Sequence, residues 1–279
     1  MKTIHILFLS LGASLISAQD IGLQLYSVRN QTKTGNVEAV LTQIKSWGIT
    51  QLEGGSTYGM SQEDYNALCK KLGLKTVSIG AEFTELDKDP AKVAEKAKAF
   101  EVSYVMCAWI PHKGVQLTLD EAKNAIQVFQ KAGKVLADKG ISLCYHMHGF
   151  EFDAYEGGTL FDYMAKNTDP KYVNFEMDVY WVNQPGQDPV ALLKKYPERF
   201  LMMHLKDRKP GTPNTLDGNA DVETNVVLGY GDVGIAEVMA NAKNVKYFFI
   251  EDESSRVMEQ VPSSLAYLKG LSDASKTKK

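Results

Sequence analysis

His146, Asp178, His204 and Glu251 each close a short apolar run, in SLCYHMH, VNFEMDVY, FLMMHLKD and YFFIEDE, and helical sequence follows each one. Imidazoles and carboxylates are common ligands of borderline divalent cations. Two of each suit Mn2+, Co2+, Zn2+ or Fe2+, with positions left open for substrate oxygens. Each residue also has a plainer use. A strand-end histidine usually satisfies a local hydrogen bond, Asp178 could cap a helix or turn, and Glu251 begins the acidic run Glu251, Asp252, Glu253. Four metal-competent side chains at successive strand ends predict one metal centre.

Acid, base and substrate-binding groups are expected close by. His148 lies two residues beyond His146 and Lys206 two beyond His204, so on extended chain each pair shares a face. His148 and Lys206 are therefore candidates for proton transfer, and Lys206 could do this with a lowered pKa or else stabilise an oxyanion. Glu151, on the loop after the fifth strand, could return to the same site. Candidate substrate contacts are Glu53, followed by the close-approach glycines Gly54 and Gly55, then Trp109 and Trp181 as walls for a sugar ring, and Arg256 for an anionic group or a helix start.

Positioning these groups requires a repeated scaffold. β-rich runs at 21–28, 51–56, 75–82 and 104–110 precede the four named above, and helical patterns at 36–47, 62–72, 90–100, 119–139, 160–167, 189–196, 235–241 and 257–271 separate and follow them. Asp89-Pro90 and Asp188-Pro189 read as N-caps with proline in the first turn, and Gly73 and Gly140 as helix terminators. Largely apolar strands joined by crossover helices pair in parallel, and eight such units predict an α/β, single-domain (β/α)8 TIM barrel, whose active site gathers where the strands end. Its size fits a chain of 279 residues that is 44% hydrophobic. Residues 206–232 form a long polar loop and 228–235 a turn-rich segment that overlaps its end, while the tail from Ser272 is expected to fray.

The first residues read as a removable export signal: Lys2, an apolar run from Ile4 to Ile16, then Ser17 and Ala18. Cleavage after Ala18 leaves a domain of residues 19–279, periplasmic or secreted and not inserted in a membrane. Cys69, Cys107 and Cys144 are odd in number and fit buried thiols rather than a disulfide framework. A formal net charge of -3 offers no basic field for nucleic acid, which leaves a small carbohydrate as the expected partner.

The segments IGLQLYSVR, GISLCYHMHGFEF, FEMDVYW, HLKDR and FFIEDE make the chain resemble the xylose-isomerase-like barrel superfamily, here as an exported member of its sugar phosphate isomerase/epimerase group. The resemblance implies one divalent metal held by Glu, Asp, His and Glu from strands five to eight. The last three carry over to Asp178, His204 and Glu251, whereas His146 stands where the first Glu is expected. The epimerases of that group also tend to have His three residues after the Asp, where this chain has Trp181. One of the two proton-carrying carboxylates of a ketose 3-epimerase is thus missing, and the resemblance leaves Glu251 as the catalytic proton carrier. The resulting expectation is a metal-dependent isomerase or epimerase that takes a proton beside a metal-bound carbonyl of a non-phosphorylated sugar. One alternative is a lyase that eliminates the aglycone from a 3-keto-glycoside, and another is a noncatalytic sugar-binding protein. A nuclease of the endonuclease IV type would need more imidazoles than His112, His146, His148 and His204.

Overall fold

Apolar side chains on both faces of short strands favour parallel pairing under a coat of helices. The computed structural model, which describes residues 21–33 and 35–276, shows that arrangement. Strands β1 (Ile21–Gln24), β2 (Gln51–Gly54), β3 (Lys75–Gly80), β4 (Tyr104–Cys107), β5 (Ser142–His146), β6 (Val173–Asp178), β7 (Phe200–Leu205) and β8 (Tyr247–Ile250) close into a parallel barrel in chain order. β8 pairs with β1 through Ile21 opposite Phe248 and Leu23 opposite Ile250. The proposed signal, residues 1–18, lies outside the described residues. Among those described, no helix is long and apolar enough to cross a membrane.

Alternation along each strand divides two environments. Leu143 and Tyr145 of β5, Phe175 and Met177 of β6, Met203 and Leu205 of β7, and Phe248 and Ile250 of β8 belong to the large core between barrel and helices. The intervening positions fill the barrel. Val77, Met106, Cys144, Met202 and Phe249 form a separate apolar cluster there. Polar side chains occupy the next positions along the strands, and for this reason the chemistry sits above an apolar plug.

Several elements match the sequence reading closely. The helices Gln62–Leu72 and Ile235–Asn241 have the expected bounds, Asp89 and Asp188 accept the backbone N–H groups of Lys92 and Val190, and Gly73 ends its helix in the left-handed region at φ 65°. All three cysteines are buried and free. Differences cluster where the strands end. The first strand stops at Gln24, whose side chain accepts the Tyr26 N–H and starts the 3-10 turn Leu25–Val28. The strands expected at 51–56, 75–82 and 104–110 stop at Gly54, Gly80 and Cys107, because their remaining residues turn into the cavity mouth. A further helix, Phe83–Lys88, starts at a Glu82–Glu85 capping box. The last helix runs from Val257 to Lys276, so residues 272–276, expected to fray, are helical. Part of the long loop is ordered as the antiparallel ribbon Asp207–Arg208 with Asn225–Val226.

Candidate metal centre and cavity

Asp178 stands opposite His204, and His146 opposite Glu176, two residues before Asp178, so His146, Asp178 and His204 emerge together at the carboxyl end of the barrel, and Glu251 joins them one residue past β8. The Glu251 N–H still bonds Leu205 O at 3.0 Å, which keeps the chain extended at that point. All four side chains are buried, and one ligand atom from each lies within 4.8 Å of the others. His204 Nδ1 is 2.8 Å from Glu251 Oε2, and His146 Nε2 is 3.9 Å from Asp178 Oδ2.

Asp178 does two jobs. Its Oδ1 accepts the N–H groups of Tyr180 at 2.8 Å and Trp181 at 3.1 Å and so caps the helix Val179–Asn183. Its Oδ2 is buried with no hydrogen-bond partner in the protein. Burial raises the Asp178 pKa to about 7, with Lys206 pulling the other way and Glu251 adding to the rise. Burial, reinforced by His204 and His148, holds His146 well below the usual imidazole range, so it is a neutral ring able to offer a lone pair. Burial works against the charge on Glu251, but Lys206 and His204 outweigh it and keep this carboxyl well below its usual range. An unpartnered buried carboxylate oxygen, a neutral imidazole and an ionised carboxylate in one cluster fit a divalent cation.

Deeper in the barrel, Glu53 and Glu176 are wholly buried. Glu53 Oε1 accepts from Gln24 Nε2 at 2.7 Å and lies 2.6 Å from His204 Nε2, while Glu176 Oε2 lies 3.2 Å from His146 Nδ1. Burial and the neighbouring Glu53 raise the Glu176 pKa to about 8.

Above the cluster opens a cavity of about 800 Å³, within the range of small-molecule sites, with His148, Trp109, Trp181, Tyr180, Lys206 and Glu253 on its wall. His148 Nδ1 is buried without a partner, and burial, then Lys206, lowers the pKa of this ring to about 3. Lys206 Nζ donates to Glu253 Oε1 at 2.6 Å and lies 5.3 Å from the Trp181 ring centroid. Burial opposes its charge, but Glu251, Glu253 and Asp178 together raise its pKa above the usual lysine value, so of the two expected roles the fixed ammonium favours stabilising an oxyanion over moving a proton.

His146, His148, His204, Lys206, Glu251, Trp109 and Trp181 are thus brought to one site. Three candidates are placed elsewhere. Glu53 lies beneath His204 and off the cavity wall, where it meets Gln24 rather than sugar hydroxyls. Glu151 folds back on its own loop, accepting the Tyr145 hydroxyl and the N–H groups of His148 and Gly149, and so shapes the turn that presents His148. Arg256 is taken up by Glu223 and by the carbonyl of Asn225, pinning the β7 loop to the start of the last helix. Glu176 and Glu253 were missed. Glu176 precedes Asp178 by two residues and Glu253 follows Glu251 by two, so the spacing that exposed His148 and Lys206 could have found both.

The family described as xylose isomerase-like TIM barrel matches residues 41–271. Inosose dehydratase of Geobacillus kaustophilus (strain HTA426) is 24% identical over 195 residues, which cover 61% of this chain and 61% of the relative, so the match spans about three fifths of that protein's length. The structure of a sugar phosphate isomerase/epimerase from Parabacteroides distasonis ATCC 8503 superposes with a TM-score of 0.75 at 24% identity, covering 92% of this chain and 95% of that one. The IOLI protein, whose crystal structure has a bound zinc atom, superposes with a TM-score of 0.64 at 10% identity, covering 92% and 97%. At these identities the two structural likenesses show the fold.

Proposed function

The chain belongs to the xylose isomerase-like TIM-barrel family, and from that premise we propose that it is a divalent-metal-dependent enzyme that removes a proton beside the carbonyl of an unphosphorylated sugar and expels a substituent from the next carbon. One juxtaposition carries this: the buried His146–Asp178–His204–Glu251 cluster stands against the Lys206 ammonium at the foot of a sugar-sized cavity. A divalent ion held by those four residues would supply a Lewis acid for the sugar oxygens. Glu251 Oε1, 3.9 Å from Lys206 Nζ, is the ligand-set oxygen that can take the carbon-bound proton. The electron pair left behind forms the new double bond, and the bond to the leaving oxygen breaks with its own pair. Glu251 returns its proton to that oxygen. Lys206 stabilises the negative charge as it develops, and the Trp181 wall excludes water.

Elimination is favoured over exchange on two faces because His146 replaces a carboxylate, leaving Glu251 as the ligating carboxylate on the cavity wall. The name of the Geobacillus relative, a dehydratase, points the same way. Isomerisation or epimerisation is the second reading, supported by the unpartnered Nδ1 of His148 as a further proton site. Support for an unphosphorylated substrate comes from the cavity wall, where Arg29 pairs with Glu253 at 3.2 Å and is not free to clamp a phosphoryl group, while Lys206 lies at the foot of the cavity beside Glu251. A removable signal at residues 1–18 would place the domain 19–279 in the periplasm or outside the cell, where free sugars and glycosides are met.

The test is to incubate residues 19–279, loaded with Mn2+, Co2+, Zn2+ or Fe2+, with ketoses, aldoses and 3-keto-glycosides in D2O, beside His204→Ala, and to follow products by NMR. Aglycone release with an unsaturated keto-sugar is the expected outcome. Deuterium in a rearranged but intact sugar would establish the isomerase reading instead. Binding with neither release nor exchange would leave a noncatalytic sugar-binding protein.

A further inference from the structure

Resting on that metal reading, the geometry points to Glu176 and Glu53 as positioning residues that hold the two imidazole ligands in opposite senses, His146 meeting the metal through Nε2 and His204 through Nδ1. Glu176 is on β6 two residues before Asp178, so its side chain enters the barrel one level deeper on the same face. A single oxygen, Glu176 Oε2, lies 3.2 Å from His146 Nδ1 and 3.3 Å from His204 Nε2. Glu53 Oε1 adds a contact of 2.6 Å to His204 Nε2 and is itself fixed by Gln24. Both carboxylates are wholly buried and neither reaches the cavity wall.

A ring nitrogen that donates its hydrogen to a carboxylate has no lone pair to give a metal, so the other nitrogen becomes the ligand. For His146 that other atom is Nε2, which faces the unpartnered Asp178 Oδ2 at 3.9 Å. For His204 it is Nδ1, 2.8 Å from Glu251 Oε2. The outward nitrogens therefore both lie in the four-residue cluster, and the inward ones both lie on Glu176. This chain has a particular need for such a device. A carboxylate ligand on β5 would present two equivalent oxygens in either rotamer, whereas an imidazole there can turn its N–H to the metal unless something beneath it accepts that hydrogen. Glu53, Glu176 and His204 also lie close enough together to hold an ion of their own. The inward hydrogen bonds require that they do not, because such an ion would claim His204 Nε2.

The experiment is a Zn2+ titration of the full mature chain labelled with 15N-histidine. Each ring nitrogen is followed by long-range 1H–15N NMR, with His112→Gln and His148→Gln used for assignment. One zinc per chain is expected, with metal-bound shifts on His146 Nε2 and His204 Nδ1 and protons retained on the opposite nitrogens. Glu176→Ala should weaken Zn2+ binding, read by calorimetry, about 10- to 100-fold. Glu176→Gln, whose amide oxygen still accepts a hydrogen, should recover most of that loss. Zinc on His204 Nε2 or His146 Nδ1, a second equivalent of zinc, or an unchanged affinity in Glu176→Ala would each overturn the positioning role while leaving the metal centre standing. A chain that takes up no zinc at all, and shows no metal-dependent turnover, would overturn both.

Discussion

Lys206 shows how a single residue's role depends on what surrounds it. A buried lysine with apolar neighbours loses its proton, and Lys206, 2% exposed, does lie against the rings of Tyr180 and Trp181. Its Nζ nevertheless faces Glu253 at 2.6 Å and Glu251 at 3.9 Å, and these carboxylates raise its pKa against the effect of burial. An ammonium that stays charged cannot serve as a base, so its contribution must be electrostatic and greatest when the substrate oxygen carries negative charge. Lys206→Met keeps the length of the chain and removes the charge. It should lower kcat about 100- to 1000-fold, the loss typical of removing one oxyanion donor, with a smaller effect on KM. Steady-state kinetics on the substrate found in the D2O screen would check this, and a kcat within about twofold of the parent would remove Lys206 from the chemistry. His148 presents the reverse case: burial, then Lys206, lowers its pKa to about 3, so the ring is neutral near pH 7.

At the level of elements, the loop after β7 is held by one carboxylate. Asp207 accepts the N–H groups of Arg208, Gly229, Gly231 and Val233 at 2.8–3.2 Å, so the turn-rich segment 228–235 is folded around it. Arg208 then grips Asp232 at 3.0 and 3.1 Å. A Cβ at Gly231 would sit 2.1 Å from Asp207 Oδ1 and 2.5 Å from Arg208 O, neither of which can retreat without breaking these bonds. Gly231→Ala should therefore destabilise the protein by about 1–3 kcal/mol, as overpacking typically does. Gly270→Ala, at a helical position where a Cβ meets nothing within 4 Å, should be neutral or stabilising by up to about 1 kcal/mol. Urea denaturation of both variants measures the contrast, and equal midpoints would refute the clamp. The sequence shows the alternation that sends His146, His148, His204 and Lys206 to one face, because that pattern is local. It does not show depth. Glu53 and Glu251 both sit at strand ends after apolar residues, yet barrel register, with the shift between Leu52 and Glu53, carries one beneath the imidazoles and leaves the other at the cavity. The capture of Arg256 by Glu223, 33 residues away, is likewise a product of tertiary folding.

For the molecule as a whole, gathering these groups at the centre of a barrel would link the proposed metal binding to folding. In the metal-free chain Asp178 titrates at about 7, Glu176 at about 8, and His204 well above the usual imidazole range, so the folded state holds protons that the unfolded state releases at lower pH. Stability contributed by groups raised in this way is complete below their unfolded pKa values and is lost as pH rises through the folded ones. His146 and His148 are lowered, so their contribution is complete above the unfolded imidazole value of 6.5 and fades only on acidification. Glu251, lowered from 4.5, is likewise already ionised in both states. Asp178 has lost most of its proton by pH 8, so between pH 7 and 8.5 Glu176 and His204 set the slope within the site. Each costs about 1.4 kcal/mol per pH unit over which it must stay protonated in the folded state alone, or a few degrees in Tm for a chain of this size. A divalent ion would supply the missing counter-charge and take the place of the extra proton on His204, so the slope at His204 would disappear. Calorimetric Tm values in EDTA should therefore fall across this interval. Those with saturating Zn2+ should fall less steeply, and the stabilisation by metal should grow with pH. Parallel curves with and without zinc would mean that the cluster does not bind metal as a folded unit, whereas diverging curves that become parallel in Asp178→Asn would show that the linkage needs the Asp178 carboxylate, whose buried Oδ2 has no hydrogen-bond partner among the described residues.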